Sequence, residues 1–356
     1  MLSLLAITTV LMLGPDKTAT ADADANESRH LENIRQVTTG FAKAGEGYFS
    51  PDGKAIIFQA TQPGEDDYQI YTLSLAPGAK PRLVSTGKGK CTCSYFHPDG
   101  TSILFASTHL DASKPGEKKK GPAYSRSEGY KWDFDPAMDI FKADLDGSNL
   151  VRLTDTPGYD AEGSYSADGK EIIFTSFRDG NAEIYIMDAD GKNPRRITDK
   201  KGYDGGPFFS PDGKKIIYRS DRKGNDLLQL FINTPDGKNE RALTSNDSVN
   251  WGPYFYPDSR HIVYSTSLHG HQNYEIYWMD TETGKQERIT YRDGFDALPV
   301  FSRDGKKMLW TSKGRTADKT SQLFIADFKI DPAKDSRPLI RATYSCVPDL
   351  SAPQGP

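Results

Sequence analysis

The chain has 356 residues, enough for one large domain or two to three ordinary ones. Its 45 Lys and Arg against 49 Asp and Glu leave a net charge of −4, which removes the electrostatic reason to expect nucleic acid as a partner. Gly (32), Pro (22), Tyr (18) and Phe (17) are abundant, which suits many short strands, and three cysteines are too few to staple a domain of this size.

Residues 2–13 form an apolar run softened by Ser3, Thr8 and Thr9. It is too short to span a bilayer. Ala19, Ala21, Ala23 and Ala25 follow at alternate positions and fit the A-x-A cleavage pattern, so residues 1–25 are expected to be a signal peptide, although no Lys or Arg precedes the run. The expected location is periplasmic or secreted. No cysteine follows the run to carry a lipid anchor, and no other segment reads as a transmembrane span.

A pattern then recurs six times. An aromatic residue precedes a Pro-Asp-Gly-like turn at Phe49, Phe96, Tyr165, Phe209, Phe255 and Phe301, spaced by 47, 69, 44, 46 and 46 residues. Each turn leads into an apolar strand (Ile56-Ile57-Phe58 in the first copy, Met308-Leu309-Trp310 in the last). A polar loop, a third strand such as Ile184-Tyr185, an Asp-Gly turn and a fourth strand of the Arg-x-Ile-Thr type complete the copy. Four strands at a period near 46 predict the blades of an all-β, six-bladed β-propeller over residues 30–328. Gly supplies positive φ in the turns and the Asp carboxylate can bond the turn amides, so those aspartates are read as structural. The sixth copy lacks a clean fourth strand. Residues 34–38, from Ile34 to Thr38, match the missing type and are expected to close the ring; residues 339–344 are the rival. Residues 329–356 are a C-terminal extension.

These repeats resemble those of TolB-type six-bladed propellers from about Ile34 to Phe328. The resemblance implies the propeller fold. TolB carries an additional N-terminal α/β domain, for which no room is expected here, so its docking of a peptidoglycan-associated lipoprotein is not carried over.

In such a blade the loops leading into the inner strands share a face with the loops joining second and third strands, and both turn sets lie opposite. The loop face varies in sequence, and variable loops on a rigid scaffold commonly bind. Near the axis, Glu46, Cys93 and Glu162 occupy one equivalent position, and Asp160, Asp204, Asn250 and Asp296 another. Five carboxylates thus approach one rim. They can hold Ca2+, for which oxygen ligands are suited, or a basic group, or else each can cap its own loop. The second loop set brings His109, Arg178, Arg222, His269 and His271 to the same face. His269 and His271 form an H-x-H step that can present two imidazoles to one metal. An insertion over residues 114–135 in the second copy carries Trp132 among other aromatics and is expected to pack on the blades or lie over the channel mouth. After export, Cys91 or Cys93 can bridge Cys346, with connectivity open.

No G-x-S-x-G, H-E-x-x-H, Walker loop or complete G-x-G-x-x-G is present. The sequence therefore reads as a monomeric, non-catalytic binding or scaffolding module for an envelope protein or glycan. The alternative is a carbohydrate-active lyase or hydrolase using rim carboxylates or histidines.

Overall fold

The computed structural model describes residues 17–111 and 134–329. Trp132, Cys346 and nearly all of the 114–135 insertion lie outside them. Six four-stranded antiparallel sheets form the predicted propeller. The inner strands are Lys43–Phe49, Cys91–Phe96, Asp160–Tyr165, Asp204–Phe209, Asn250–Phe255 and Asp296–Phe301. In the first five sheets strand order follows chain order. The sixth runs Asp296–Phe301, Lys307–Ser312, Gln322–Phe328 and then Leu31–Gln36 from the far end of the chain.

The second strands are buried on both faces, which is why they read as unbroken apolar runs. Ile56, Ile57 and Phe58 are fully buried, as are Ile172, Ile173 and Phe174, and Met308, Leu309 and Trp310. Fourth strands are mostly two residues long and exposed, as in Arg195–Arg196. What fixes them is a side chain just beyond. The hydroxyl of Thr154 accepts from the Ile140 amide, Thr198 from Ile184, Thr244 from Leu230 and Thr290 from Ile276, each at 2.9 Å. Ser85 does the same for Ile70. Thr38 accepts from the Leu323 amide at 2.8 Å, so the first strand performs in the sixth blade the task of the blade's own missing strand. Its pairing begins at Leu31 opposite Phe328, three residues earlier than the sequence pattern implies.

The turns are built as expected. Ser50 donates to Asp52 at 2.6 Å, and the Ala55 amide donates back to Ser50 at 2.9 Å. The same geometry recurs at Ser166 and Asp168, Ser210 and Asp212, and Ser302 and Asp304.

A helix, Lys17–Glu27, precedes the closing strand and contains the A-x-A sites. Its end is anchored between the fifth and sixth blades. Glu27 is 1% exposed, accepts two bonds from Arg315 at 2.6 and 3.0 Å, and accepts the Tyr291 amide at 2.7 Å. Among the described residues no helix is long and apolar enough to cross a membrane.

Candidate functional site at the channel axis

Every inner strand carries a bulge after its second or third residue. The bulged residues, Glu46, Cys93, Glu162, Gly206, Gly252 and Leu298, all take φ between 47° and 58°. Two conformationally free glycines are expected there; four residues with side chains are not, and in three of them, Glu46, Cys93 and Leu298, a hydrogen bond holds the amide. The Glu46 amide donates to Thr311 at 3.1 Å, Cys93 to Gln59 at 3.1 Å, Leu298 to Ser265 at 3.0 Å, and Gly206 to the Glu162 carboxylate at 2.8 Å. The bulges turn these positions toward the axis.

Two carboxylates, one thiol and one guanidinium border the resulting cavity of about 30 Å³: Glu46, Glu162, Cys93 and Arg219. Glu162 is saturated. It pairs with Arg219, and accepts from Thr175 at 2.7 Å, from the Tyr203 hydroxyl at 2.9 Å and from the Gly206 amide. Among the described residues Glu46 has a long contact from the Tyr48 hydroxyl at 3.5 Å and no ion pair. Burial first, and then the neighbouring Glu162 charge, push its pKa up to about 7, with Arg219 opposing. Burial likewise pushes the Cys93 thiol up, so it is a neutral neighbour.

The rest of the expected rim is organised differently. Asp160 pairs with Arg178 at 3.2 Å, Asp204 with Arg222 at 3.1 Å and Asp296 with Arg315 at 2.8 Å, each within its own blade. These carboxylates are 1% exposed. Asn250, also buried, donates to Asn246 at 2.8 Å and accepts from Thr266 at 2.9 Å. The structure therefore separates the five acids into two sets: Glu46 and Glu162 face the axis, and the three aspartates tie first strand to second-to-third loop. Burial raises the pKa of Asp160, and that of Asp204 to about 6, although an arginine opposes it in both cases. Among the described residues no three His, Cys, Asp or Glu side chains gather closely enough to hold a metal.

The histidines do not converge either. His109 bonds Ser107 at 2.9 Å and packs on Phe141 with centroids 4.4 Å apart. His269 bonds the Tyr277 hydroxyl at 2.8 Å and lies 3.4 Å from Arg288, while His271 neighbours Tyr274. Burial, then Arg288, lowers the His269 pKa. At the edge of the insertion, Phe134 packs on Phe177 and Tyr203 at 4.7 and 5.5 Å.

Sequence reasoning missed Arg219. Its register position, opposite Gly205, is filled in the other blades by Gln59, Ala106, Thr175, Ser265 and Thr311. A lone guanidinium in that ring was a readable signal. Gly206 is its complement, since a Cβ there would stand 1.9 Å from the Arg219 guanidinium.

Beneath this cavity the channel is closed by rings. Tyr48 lies 5.0 Å from Tyr95 and 5.8 Å from Phe208, Phe208 lies 5.1 Å from Tyr254, and the Tyr95 and Tyr254 hydroxyls are 3.0 Å apart. On the far side a second cavity of about 160 Å³ opens among the Pro-Asp-Gly turns.

The family described as the TolB beta propeller domain matches residues 177–270. The Tol-Pal system protein TolB of Bordetella pertussis is 51% identical over 39 residues, which are 11% of this chain and 9% of that protein. A TolB candidate from Agrobacterium tumefaciens superposes with a TM-score of 0.57 at 22% identity, covering 81% of this chain and 91% of that one. TolB from Acinetobacter baumannii gives 0.54 at 20% identity, over 82% of this chain and 65% of that one. An oligogalacturonate lyase from Vibrio parahaemolyticus gives 0.52 at 13% identity, over 83% and 93%. At these identities the structural likenesses speak for fold. Together with the closed six-sheet ring, they make the chain a six-bladed β-propeller, with similarity to the TolB repeat model over residues 177–270.

Proposed function

We propose that the protein is an exported, non-catalytic binding module that receives a basic group of an envelope protein or glycan at the loop-face end of its channel. Glu46 carries this reading: it is an axial carboxylate without an arginine of its own, whereas Asp160, Glu162, Asp204 and Asp296 each pair with one. A cationic side chain or amine entering the cavity would supply the missing counter-charge. A divalent ion is less well served, because Glu162 is already occupied by Arg219 and three amide or hydroxyl donors. The TolB-type repeats and the expected signal peptide support an envelope location. For the lyase reading, the histidines on this face offer no paired acid and base, since His269 is engaged by Tyr277 and Arg288.

The test uses cross-linking and affinity capture from envelope extracts, with the same bound partner quantified for each variant. Glu46→Gln should weaken retention by about tenfold, in the range of one charge pair. Asp52→Ala, in a turn on the far face, should leave it unchanged. Equal retention by the Glu46 variant, or turnover of a polysaccharide that His269→Ala abolishes in a folded protein, overturns the reading.

A further inference from the structure

The cavity on the turn face is the larger of the two and has a different chemistry. Of its 19 lining residues nine are aromatic and four are proline, and Arg303 alone is charged. An apolar, proline-rimmed funnel of this kind suits an extended apolar peptide.

The chain supplies such a peptide. Gln322–Phe328, the last described strand, runs toward the turn face, as its pairing of Asp327 with Lys307 requires. Phe328 packs on Phe301, a residue of the cavity wall, with ring centroids 4.6 Å apart. Residues 330–356 follow, and their first compact apolar stretch is Pro338-Leu339-Ile340. The ten residue steps from Lys329 to Leu339 can span up to about 33 Å, whereas stepping inward from the third strand to the first crosses about 10 Å. The sheet position for which residues 339–344 competed is already taken by Leu31–Gln36. We propose that residues 338–340 dock in the turn-face cavity, making the C-terminal extension a built-in occupant of that end of the channel. An outside ligand for this face must then displace it.

Limited trypsin digestion of the full chain tests this. Lys334 lies before the docked stretch and Arg341 at its edge, while Arg337 is shielded from trypsin by Pro338. In the wild-type chain Arg341 should be cut at least about tenfold more slowly than Lys334, because cleavage follows the population of the released tail. Leu339→Ser with Ile340→Ser should abolish the difference. So should Ala167→Trp, which fills the cavity from an exposed turn position and leaves the core untouched. Equal cleavage at Lys334 and Arg341 in the wild type overturns the proposal. Protection that survives Ala167→Trp, in a protein with a wild-type melting profile, also overturns it by placing the tail elsewhere.

Discussion

Glu46 and Glu162 sit at equivalent bulges, yet their chemistry diverges because only one blade neighbour offers an arginine. For Glu162, the Arg219 partner and three further donors occupy the carboxylate. Removing that partner as Arg219→Met would strand the carboxylate, with an expected loss of about 3 kcal/mol in a denaturant titration. Glu46 behaves oppositely. Its folded pKa of about 7 lies above the unfolded value of 4.5, so the folded state binds more protons between those two limits. Stability should therefore fall as pH rises from 4.5 through 7 and level off above. Glu46→Gln should flatten that slope and stabilise the protein at pH 8 by ~2 kcal/mol, with no gain at pH 4.5, measured by chemical denaturation at both pH values. Both carboxylates were visible in the sequence, because alignment on the anchor aromatic places them in register. Their separation from Asp160, Asp204 and Asp296 was not visible. It depends on arginines that arrive from a different loop of the blade, a distance that repeat spacing does not encode.

At the scale of the element, the closing strand shows how little sequence suffices to specify a place. Its β-pairing is irregular, with a register shift between Glu32 and Arg35. The specification comes from Thr38, whose hydroxyl bond to the Leu323 amide repeats that of five other blades. This is why the fourth-strand motif was legible and the strand's start was not: the Thr is fixed by a hydrogen bond, whereas Leu31 enters by packing in the cluster with Trp278, Phe301 and Phe328. Thr38→Ala should cost about 1 to 2 kcal/mol, read as a shift in the denaturant midpoint without a change in slope. The helix before this strand adds a second fastening through Glu27 and Arg315. Cleavage at any of the three A-x-A sites leaves Glu27 in place. Asp24, which pairs with Arg292, is retained by cleavage after Ala21 or Ala23 and lost by cleavage after Ala25.

Across the whole molecule, the ring of four aromatic side chains divides the channel into two chambers with unlike walls. One is small and charged, the other wider and apolar. Ligands at the two ends need not compete, and substitutions at one should leave the other unaffected. The overall architecture was the most legible level, because six copies of one turn and one strand pattern cannot be reconciled with another closed fold. The division of the channel was hidden: Tyr48, Tyr95, Phe208 and Tyr254 read as ordinary strand aromatics until closure brings them together.

Closure also bears on how the chain comes to be made. The strand Leu31–Gln36 leaves the ribosome before all the other blades, and its partner Gln322–Phe328 leaves after five of them. Until both are available, blade six lacks its outer strand and blade one lacks its neighbour, so each nascent molecule carries unpaired sheet edges for as long as the intervening blades are being made. Contacts separated by so much chain form slowly. The ring is thus a terminal checkpoint: a polypeptide that stops short of the sixth blade cannot bury its own beginning, and it remains recognisable to proteases as unfinished.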